Sequence, residues 1–546
     1  MKRRVITLHS ILLMGLFLYV IGIALPVLAQ PREQYKKNNR DAIGLIVDGK
    51  YDAAIRSLQQ ELQDYQIHFT SHHRRYPVDL EALFGLALAY ANTGDTTTAM
   101  ACVRRALDAG LPVERFQAGP RDLLQPLQRT EAFRQLMQPL AVELLHGPLL
   151  GSVTDHSARF WVRTMHAVPV EVVLSRSPSL RPILRKAQAA TDPDEDYTAV
   201  LAVGDLQPDT RYYYRVRVNG ENQPRVWQFH TFPERGTPAA FQIGFGGGAG
   251  FTPWHEYMWN TLDDHGLRAM LLLGDNVYID HPTYPDVQRY CYYRRQSRPE
   301  FRSFAASTPL YAIWDDHDFT ENDQWGGPAI DTPPWKRPVW QVYKQNWNNP
   351  SYGGGAEQPG CWFRFSIADV DFFMLDGRYY RTDPADPHPS MLGPVQKQWL
   401  FQALQASRGT FKVLVSPVPW AFGTKPGSRD TWEGYKQERA EIFSFLTENK
   451  INGVILLSAD RHRSDLWRID REGAYPLYEF ESSKLTNVHT HKEIPGALFG
   501  YNQKCSFGKL LFDTDRPDPT VSYEIYSIDN ELVDKITLSR SELTAD

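Results

Sequence analysis

Ala269-Met270-Leu271-Leu272-Leu273-Gly274-Asp275-Asn276-Val277-Tyr278 is the stretch on which the reading of this 546-residue chain turns. Five apolar residues in a row, too few for a buried helix and stopped by glycine, read as a strand covered on both faces. The strand ends in a carboxylate, an amide and a phenol. Comparable short runs follow the same pattern at Ala240–Phe245, Leu310–Trp314, Phe372–Leu375, Lys412–Ser416 and Gly453–Ser458, with a helix expected over about 254–265. Strand and helix therefore alternate, and residues 237–546 are expected to form a layered α/β domain. Two further strand ends carry similar groups: Asp315-Asp316-His317-Asp318, followed by Asn322-Asp323, and Asp460-Arg461-His462. In an open α/β sheet, ligands gather beyond the carboxyl ends of the strands. A single aspartate there is commonly a helix cap or a turn former. Three such ends together offer hard oxygen and imidazole donors suited to divalent or trivalent metals, and so to metal-assisted hydrolysis.

The blocks are also specific as words. Gly274-Asp275-Asn276-Val277-Tyr278-Ile279-Asp280, Ile313-Trp314-Asp315-Asp316-His317-Asp318, Met374-Leu375-Asp376-Gly377-Arg378-Tyr379-Tyr380-Arg381, Met391-Leu392-Gly393 and Ser458-Ala459-Asp460-Arg461-His462 resemble the alkaline phosphatase D (PhoD-like) family, in that family's order. The resemblance implies an α/β/β/α calcineurin-like metallophosphatase domain that hydrolyses phosphate mono- or diesters. It assigns Asp275 as a metal-bridging carboxylate and Tyr278 as a phenolate ligand, with Asn322, Asp460 and His462 completing the set. Asp316 and His317 fall where metal or transition-state contacts are expected. Arg378 and Arg381 are the expected phosphate clamp, since guanidinium pairs with phosphate oxygens bidentately. Asn276 and Arg461 are expected to contact substrate. Two positions depart from the pattern: Gly248 stands where the family carries a cysteine ligand to iron, and Ala459 where it commonly has glycine. Without that thiolate, iron is in doubt and a divalent ion, calcium foremost, is the expected cofactor.

Upstream, residues 139–236 change period. Ala158–Arg163 and Tyr212–Val218 alternate, and Asn219-Gly220 supplies the pair a tight hairpin needs. Leu206-Gln207-Pro208-Asp209-Thr210-Arg211-Tyr212-Tyr213-Tyr214 resembles the fibronectin type III corner, so a small β-sandwich is expected, as a support for the catalytic domain. Residues 30–138 read as helices in which Gly49, Ala54 and Leu58 align at constant offset with Gly94, Ala99 and Val103. This resembles a short tetratricopeptide repeat, stretched by a His-rich insert at 65–76. It offers a docking surface for a protein partner and holds none of the expected ligands, so the catalytic half is expected to work without it. Residues 1–29 read as a signal peptide: Lys2-Arg3-Arg4, an apolar run from Val5 to Leu25, and small residues before cleavage at Ala29. Export to the periplasm or the extracellular space follows, with an uncleaved membrane anchor as the alternative and the Sec and twin-arginine routes both open.

A formal net charge of −5 removes the electrostatic ground for a nucleic-acid partner. Cys102, Cys291, Cys361 and Cys505 are too sparse to indicate a disulfide or a cysteine-based metal site. Two rivals remain. Gly244-Phe245-Gly246-Gly247-Gly248-Ala249 formally fits a dinucleotide fingerprint, implying an oxidoreductase. Alternatively, loss of the cysteine marks a non-catalytic binding protein built on the same frame.

Overall fold

The structure is a computed structural model that describes residues 35–68 and 78–545. The expected signal segment and most of the His-rich insert lie outside the described residues.

Six apolar runs are strands of two sheets. The six-stranded sheet runs Leu310–Ile313, Met270–Leu273, Ala240–Gly246, Ser506–Asp513, Thr520–Ser527, Leu532–Ser539. Its first three strands are parallel and the rest antiparallel. The seven-stranded sheet runs Phe363–Ile367, Val370–Met374, Phe411–Val415, Val454–Ser458, Ala474–Ser482, Ser464–Arg471, Phe499–Tyr501. Helices Gly393–Ala406 and Lys436–Glu448 make the crossovers between its parallel strands. The sheets pack face to face through aromatic rings: Phe480 lies 4.6 Å from Tyr523, and Phe512 lies 5.7 Å from Phe411, centroid to centroid. The expected helix near 254–265 is shorter than its pattern, Met258–Asp263.

The two sheets meet at their carboxyl ends. Gly247 bridges to Ser483 in the parallel sense and joins strand Ala240–Gly246 to the neighbouring sheet. A Cβ on Gly247 would stand 2.6 Å from the Ala459 Cβ and 3.1 Å from the Gly274 oxygen, so only glycine lets these three strand ends converge. This is also why the dinucleotide reading fails. No helix opens directly after the glycines, and the space beside Gly247 is filled by the Ala459 side chain and the Gly274 carbonyl where a pyrophosphate would have to lie.

Between Leu144 and His230 two small sheets face each other: Leu144–Gly151, Ala158–Thr164 and Thr198–Val203 form one, and Arg185–Ala190, Pro169–Ser175, Arg211–Val218 and Glu221–Asn222 the other, with Trp227–His230 paired to Arg211–Val218. The backbone N–H of Gln207 donates to the Tyr212 hydroxyl at 2.9 Å, closing the Leu206–Tyr214 corner. Asn219 and Gly220 take φ of 54° and 82°, as the hairpin requires. This unit is bound to the α/β domain by buried polar contacts, among them Tyr214 to Ala306 O at 2.7 Å and Trp161 Nε1 to Gln345 O at 3.0 Å.

The N-terminal region opens with two helix pairs, Tyr35–Val47 with Tyr51–His68 and Leu80–Thr93 with Thr96–Asp108, and continues in the short helices Arg115–Ala118, Arg121–Gln128 and Glu131–Met137; Gly49 and Gly94, at φ of 72° and 89°, make the turns of the pairs. Small buried residues, Ala54, Ala99 and Ala106, line the seams. The region packs against helix Pro285–Gln296, where Arg115 pairs with buried Glu81 at 2.7 Å and covers the Tyr290 ring.

Because the Gly247 seam is closed by backbone on one side, Gly247→Ala should cost about 1–3 kcal/mol of stability through overpacking. Urea unfolding of the variant against the parent chain measures this, with an unchanged midpoint counting against the seam as a packing constraint.

Candidate functional site

Each candidate ligand owes its position to a strand end and to backbone held where side chains rarely go. Gly274 turns at φ 105°, and Asp275, Tyr278, Asp280, Asp460 and His462 follow at φ between 48° and 73°. Positive φ at a non-glycine residue costs about 1–3 kcal/mol and persists where surrounding structure enforces it, commonly at functional sites. The enforcement here is visible. The buried Asp318 carboxylate accepts from the N–H groups of Asn276 and Val277, each at 3.0 Å, and from the Asn276 amide at 3.0 Å; that amide also donates to Ile313 O at 2.8 Å. Burial pushes Asp318 up to about 6, with the two N–H groups opposing.

Asp275, Asp316 and His317 each bring a ligand atom within 4.8 Å of the others. Asp275 Oδ1, Asp315 Oδ2 and Asp316 Oδ1 are buried with no hydrogen-bond partner among the described residues. Burial, then the nearby Asp316 and Asp318 charges, drives Asp275 well above the usual carboxylate range. Lone pairs left over on crowded, buried carboxylates are what a divalent cation would satisfy, so the residues present fit a metal. Next to them the Tyr278 hydroxyl lies 2.9 Å from His462 Nε2 and accepts from the Asn487 amide at 2.6 Å, and His462 Nε2 lies 3.7 Å from Asp275 Oδ2. Desolvation and Asp275 raise the Tyr278 phenol far above its ordinary value, a second group that a cation would return toward its ionised form.

The structure reassigns several of the expected roles. Asn322 is exposed, and its neighbour Asp323 instead joins Asp316 and Asp430 in a second group of close carboxylates. Asp460 does not join the Asp275 group; its Oδ2 faces Lys425 Nζ and Arg461, each at 3.5 Å. Arg378 and Arg381, expected to clamp phosphate, are fully buried. Arg378 donates to Asp315 at 2.5 Å and bidentately to Asp430 at 2.7 and 3.0 Å, while Arg381 pairs with Asp430 at 2.9 Å and donates to the Tyr435 hydroxyl at 2.8 Å. Their work is to hold the carboxylate scaffold. Asn276, expected to touch substrate, is 2% exposed; its amide N–H groups go to Asp318 and Ile313, and its Oδ1 has no hydrogen-bond partner among the described residues. Arg461 is buried against Thr424 O and Asp460. Gly248 does lie beside the Asp275 strand end, its N–H donating to Gly274 O at 3.2 Å, but a side chain there would meet Lys484 N at 2.9 Å. The glycine that looks onto Tyr278 and Asn487 is Gly250, whose Cβ would meet them at 3.4 and 3.3 Å.

Lys425, Asp430, Asn487, Asp280 and Arg40 were missed by sequence reasoning. Asp280 closes the quoted Gly274–Asp280 block but was given no role there; the other four stand outside the quoted blocks, and nothing local marks them. Lys425 Nζ lies 2.8 Å from Asp323 and 3.0 Å from Asp430, and this ring of carboxylates holds its charge firmly against burial. Arg40 brings the helices, where the sequence places none of the expected ligands, into contact with the site. From helix Tyr35–Val47 it donates to Tyr278 O at 3.1 Å and pairs closely with Asp280, which itself binds His317 Nδ1. Burial disfavours a charged imidazole, yet Asp316, Asp275 and Asp280 together raise His317 to about 10.

Paired sheets whose parallel strands deliver carboxylate, phenol and imidazole to one seam define a metallophosphatase-type α/β domain. Its solved relatives in fold include a PhoD structure (TM-score 0.60, 20% identity, 72% of this chain and 90% of that one) and the purple acid phosphatase PPD1 from yellow lupin (Lupinus luteus) seeds (TM-score 0.54, 12% identity, 73% and 76%). Residues 247–496 match the PhoD-like phosphatase family. Alkaline phosphatase D of Bacillus subtilis (strain 168) is 26% identical over 348 residues, covering 55% of this chain and 59% of that protein's length. Residues 141–235 match a domain of unknown function (DUF7800).

Removing the Arg378 charge would leave Asp315 and Asp430 buried and under-compensated. Arg378→Met should therefore destabilise the fold by about 3–5 kcal/mol, read from urea denaturation. A shift of less than about 1 kcal/mol would make the guanidinium dispensable to the scaffold.

Proposed function

We propose that this protein is an exported, metal-dependent phosphoesterase acting on phosphate mono- or diesters. The observation that carries the reading is the meeting of Asp275, Asp316 and His317 within 4.8 Å at converging strand ends, with unsatisfied buried carboxylate oxygens. Asp275, Asp316 and Tyr278 are the residues that would hold a divalent ion; His462 stands beside Tyr278. Such an ion neutralises phosphate charge and acidifies a water nucleophile. The chain's own residues do the rest. Asp280 fixes the His317 ring and its protonation, so that an imidazolium stands ready to donate to a phosphate or leaving-group oxygen. Arg40 holds Asp280, and Arg378 with Lys425 holds the surrounding carboxylates in place. The oxygen-rich donor set, with no thiolate at Gly248, supports calcium or another hard divalent ion over iron. Export rests on the basic and apolar pattern of residues 1–29; among the described residues no helix is long and apolar enough to cross a membrane. The exposed faces of the helical pairs are the proposed place for a protein partner.

Asp275→Asn removes one charge from the crowded set while leaving the strand end intact. It should lower kcat/KM on an aryl phosphate ester by about 100-fold or more. Chelator treatment of the parent chain should abolish turnover, and added calcium should restore it. Parent-like kinetics in the variant, or activity indifferent to chelator, would sink the reading. Arg40→Ala should lower kcat about tenfold, with KM little changed, because the hydrogen-bonded charge it removes acts through Asp280 on His317. Arg40→Lys should recover part of the loss, and equal kinetics in all three chains would free the helices from any role in the site.

A further inference from the structure

Behind His462 lies a group of side chains that the proposed reaction does not use. His489 and His491 sit two residues apart in an irregular segment between strands Ala474–Ser482 and Phe499–Tyr501, and with His462 they bring three ring nitrogens within 4.8 Å of one another. His489 Nε2 and His491 Nε2 are 3.2 Å apart, and the three rings have centroid separations of 4.5, 5.0 and 5.6 Å. Two nitrogens bound tetrahedrally to zinc at about 2.0–2.1 Å are separated by about 3.3–3.4 Å, so the observed spacing is that of two ligands on one ion.

The segment is held for this purpose. The His489 N–H donates to Asn487 Oδ1 at 3.1 Å, and Asn487 is itself fixed on the Tyr278 hydroxyl. Thr490 reaches out to His462 O at 3.4 Å and to Asn502 O at 3.2 Å, and the Asn502 amide returns a hydrogen bond to His491 O at 2.9 Å. Thr490 is exposed while both flanking histidines are half-buried, so the two imidazoles turn inward together. We infer that His462, His489 and His491 form a second metal site, for one borderline transition ion of the zinc or cobalt(II) type, beside the carboxylate centre. Three imidazoles select such ions over calcium, which takes oxygen ligands. Arg461, Arg463 and Lys425 face His491 and oppose a bare cation. Asp275, 3.7 Å from His462, offsets part of that charge, and the basic rim favours an anion as the remaining ligand.

The test uses the full chain, stripped of metal and titrated with cobalt(II), followed by visible absorption and by displacement with zinc. The parent should develop a tetrahedral cobalt band that saturates at one equivalent and is bleached by zinc. His489→Gln and His491→Gln, at half-buried positions where the fold is expected to hold, should each lose the band while keeping parent-like circular dichroism. Asp275→Asn should keep it, which separates this site from the proposed catalytic centre whatever the esterase assay reads. Absence of the band in the parent, or its persistence in the two histidine variants, overturns the site. Loss of the band in Asp275→Asn as well would mean a single shared centre and overturns it too.

Discussion

Six carboxylates, Asp275, Asp315, Asp316, Asp318, Asp430 and Asp460, are buried at the carboxyl ends of the parallel strands, and the rest of the structure answers their repulsion. Ionised carboxylates packed this closely in a low-dielectric interior are untenable without compensation. The chain supplies three kinds. Backbone N–H groups satisfy Asp318. Buried cations, Arg378 on Asp315 and Asp430 and Lys425 on Asp323 and Asp430, hold one side of the cluster, and Asp430 is driven far below its ordinary range by them despite its burial. On the remaining side Asp316 has the more distant Arg378, His317 and the Asp323 N–H, while Asp275 Oδ1 and Asp316 Oδ1 stay without a hydrogen-bond partner among the described residues. Compensation that stops there is what gives the site its place.

The geometry of that side depends on a second constraint, steric this time. Strand ends from two different sheets can approach only where Gly247 presents no side chain to Ala459 and Gly274. Once they do, the connecting loops have too little room for relaxed backbone, and Asp275, Tyr278, Asp280, Asp460 and His462 are all forced to positive φ. A phenylalanine-sized ring such as that of Tyr278 pays a real steric cost in this region. The cost is met by the Asp318 bracket, the Asn487 hydrogen bond and the Arg40 contact to Tyr278 O.

Much of this was legible in the sequence because short buried parallel strands write themselves as continuous apolar runs. Ala269–Leu273 and Gly453–Ser458 are strands to within a residue or so, and the acids at their ends are where the pattern put them. The antiparallel strands Ser506–Asp513, Thr520–Ser527 and Leu532–Ser539 were not read individually, since their polar positions interrupt any run. Site membership was less legible than the fold. Motif position marked Arg378 as charged and near phosphate chemistry but carried no sign that Asp430, 52 residues on, would take its guanidinium. Asn322 and Asp323 are adjacent, and which of them reaches inward is decided by loop geometry: the Asp323 N–H donates to Asp316 at 2.7 Å and its carboxylate meets Lys425. His489-Thr490-His491 was a signal in plain view, two ligand-type residues at same-face spacing.

The longest-range dependence is the one least visible from sequence. Arg40 and Asp280 are separated by 240 positions, yet their ion pair sets the ring that faces Asp275 and Asp316. A surface ion pair would contribute little, but both partners here are largely buried, and the same guanidinium also holds the Tyr278 carbonyl. The helical pairs therefore touch the site as well as the outside of the domain. Their first helix supplies the outermost member of a chain that runs guanidinium, carboxylate, imidazole. Any partner that docks on the helices and shifts them by an ångström would loosen Asp280 from Arg40, and through it the orientation of His317, with no contact to the centre itself.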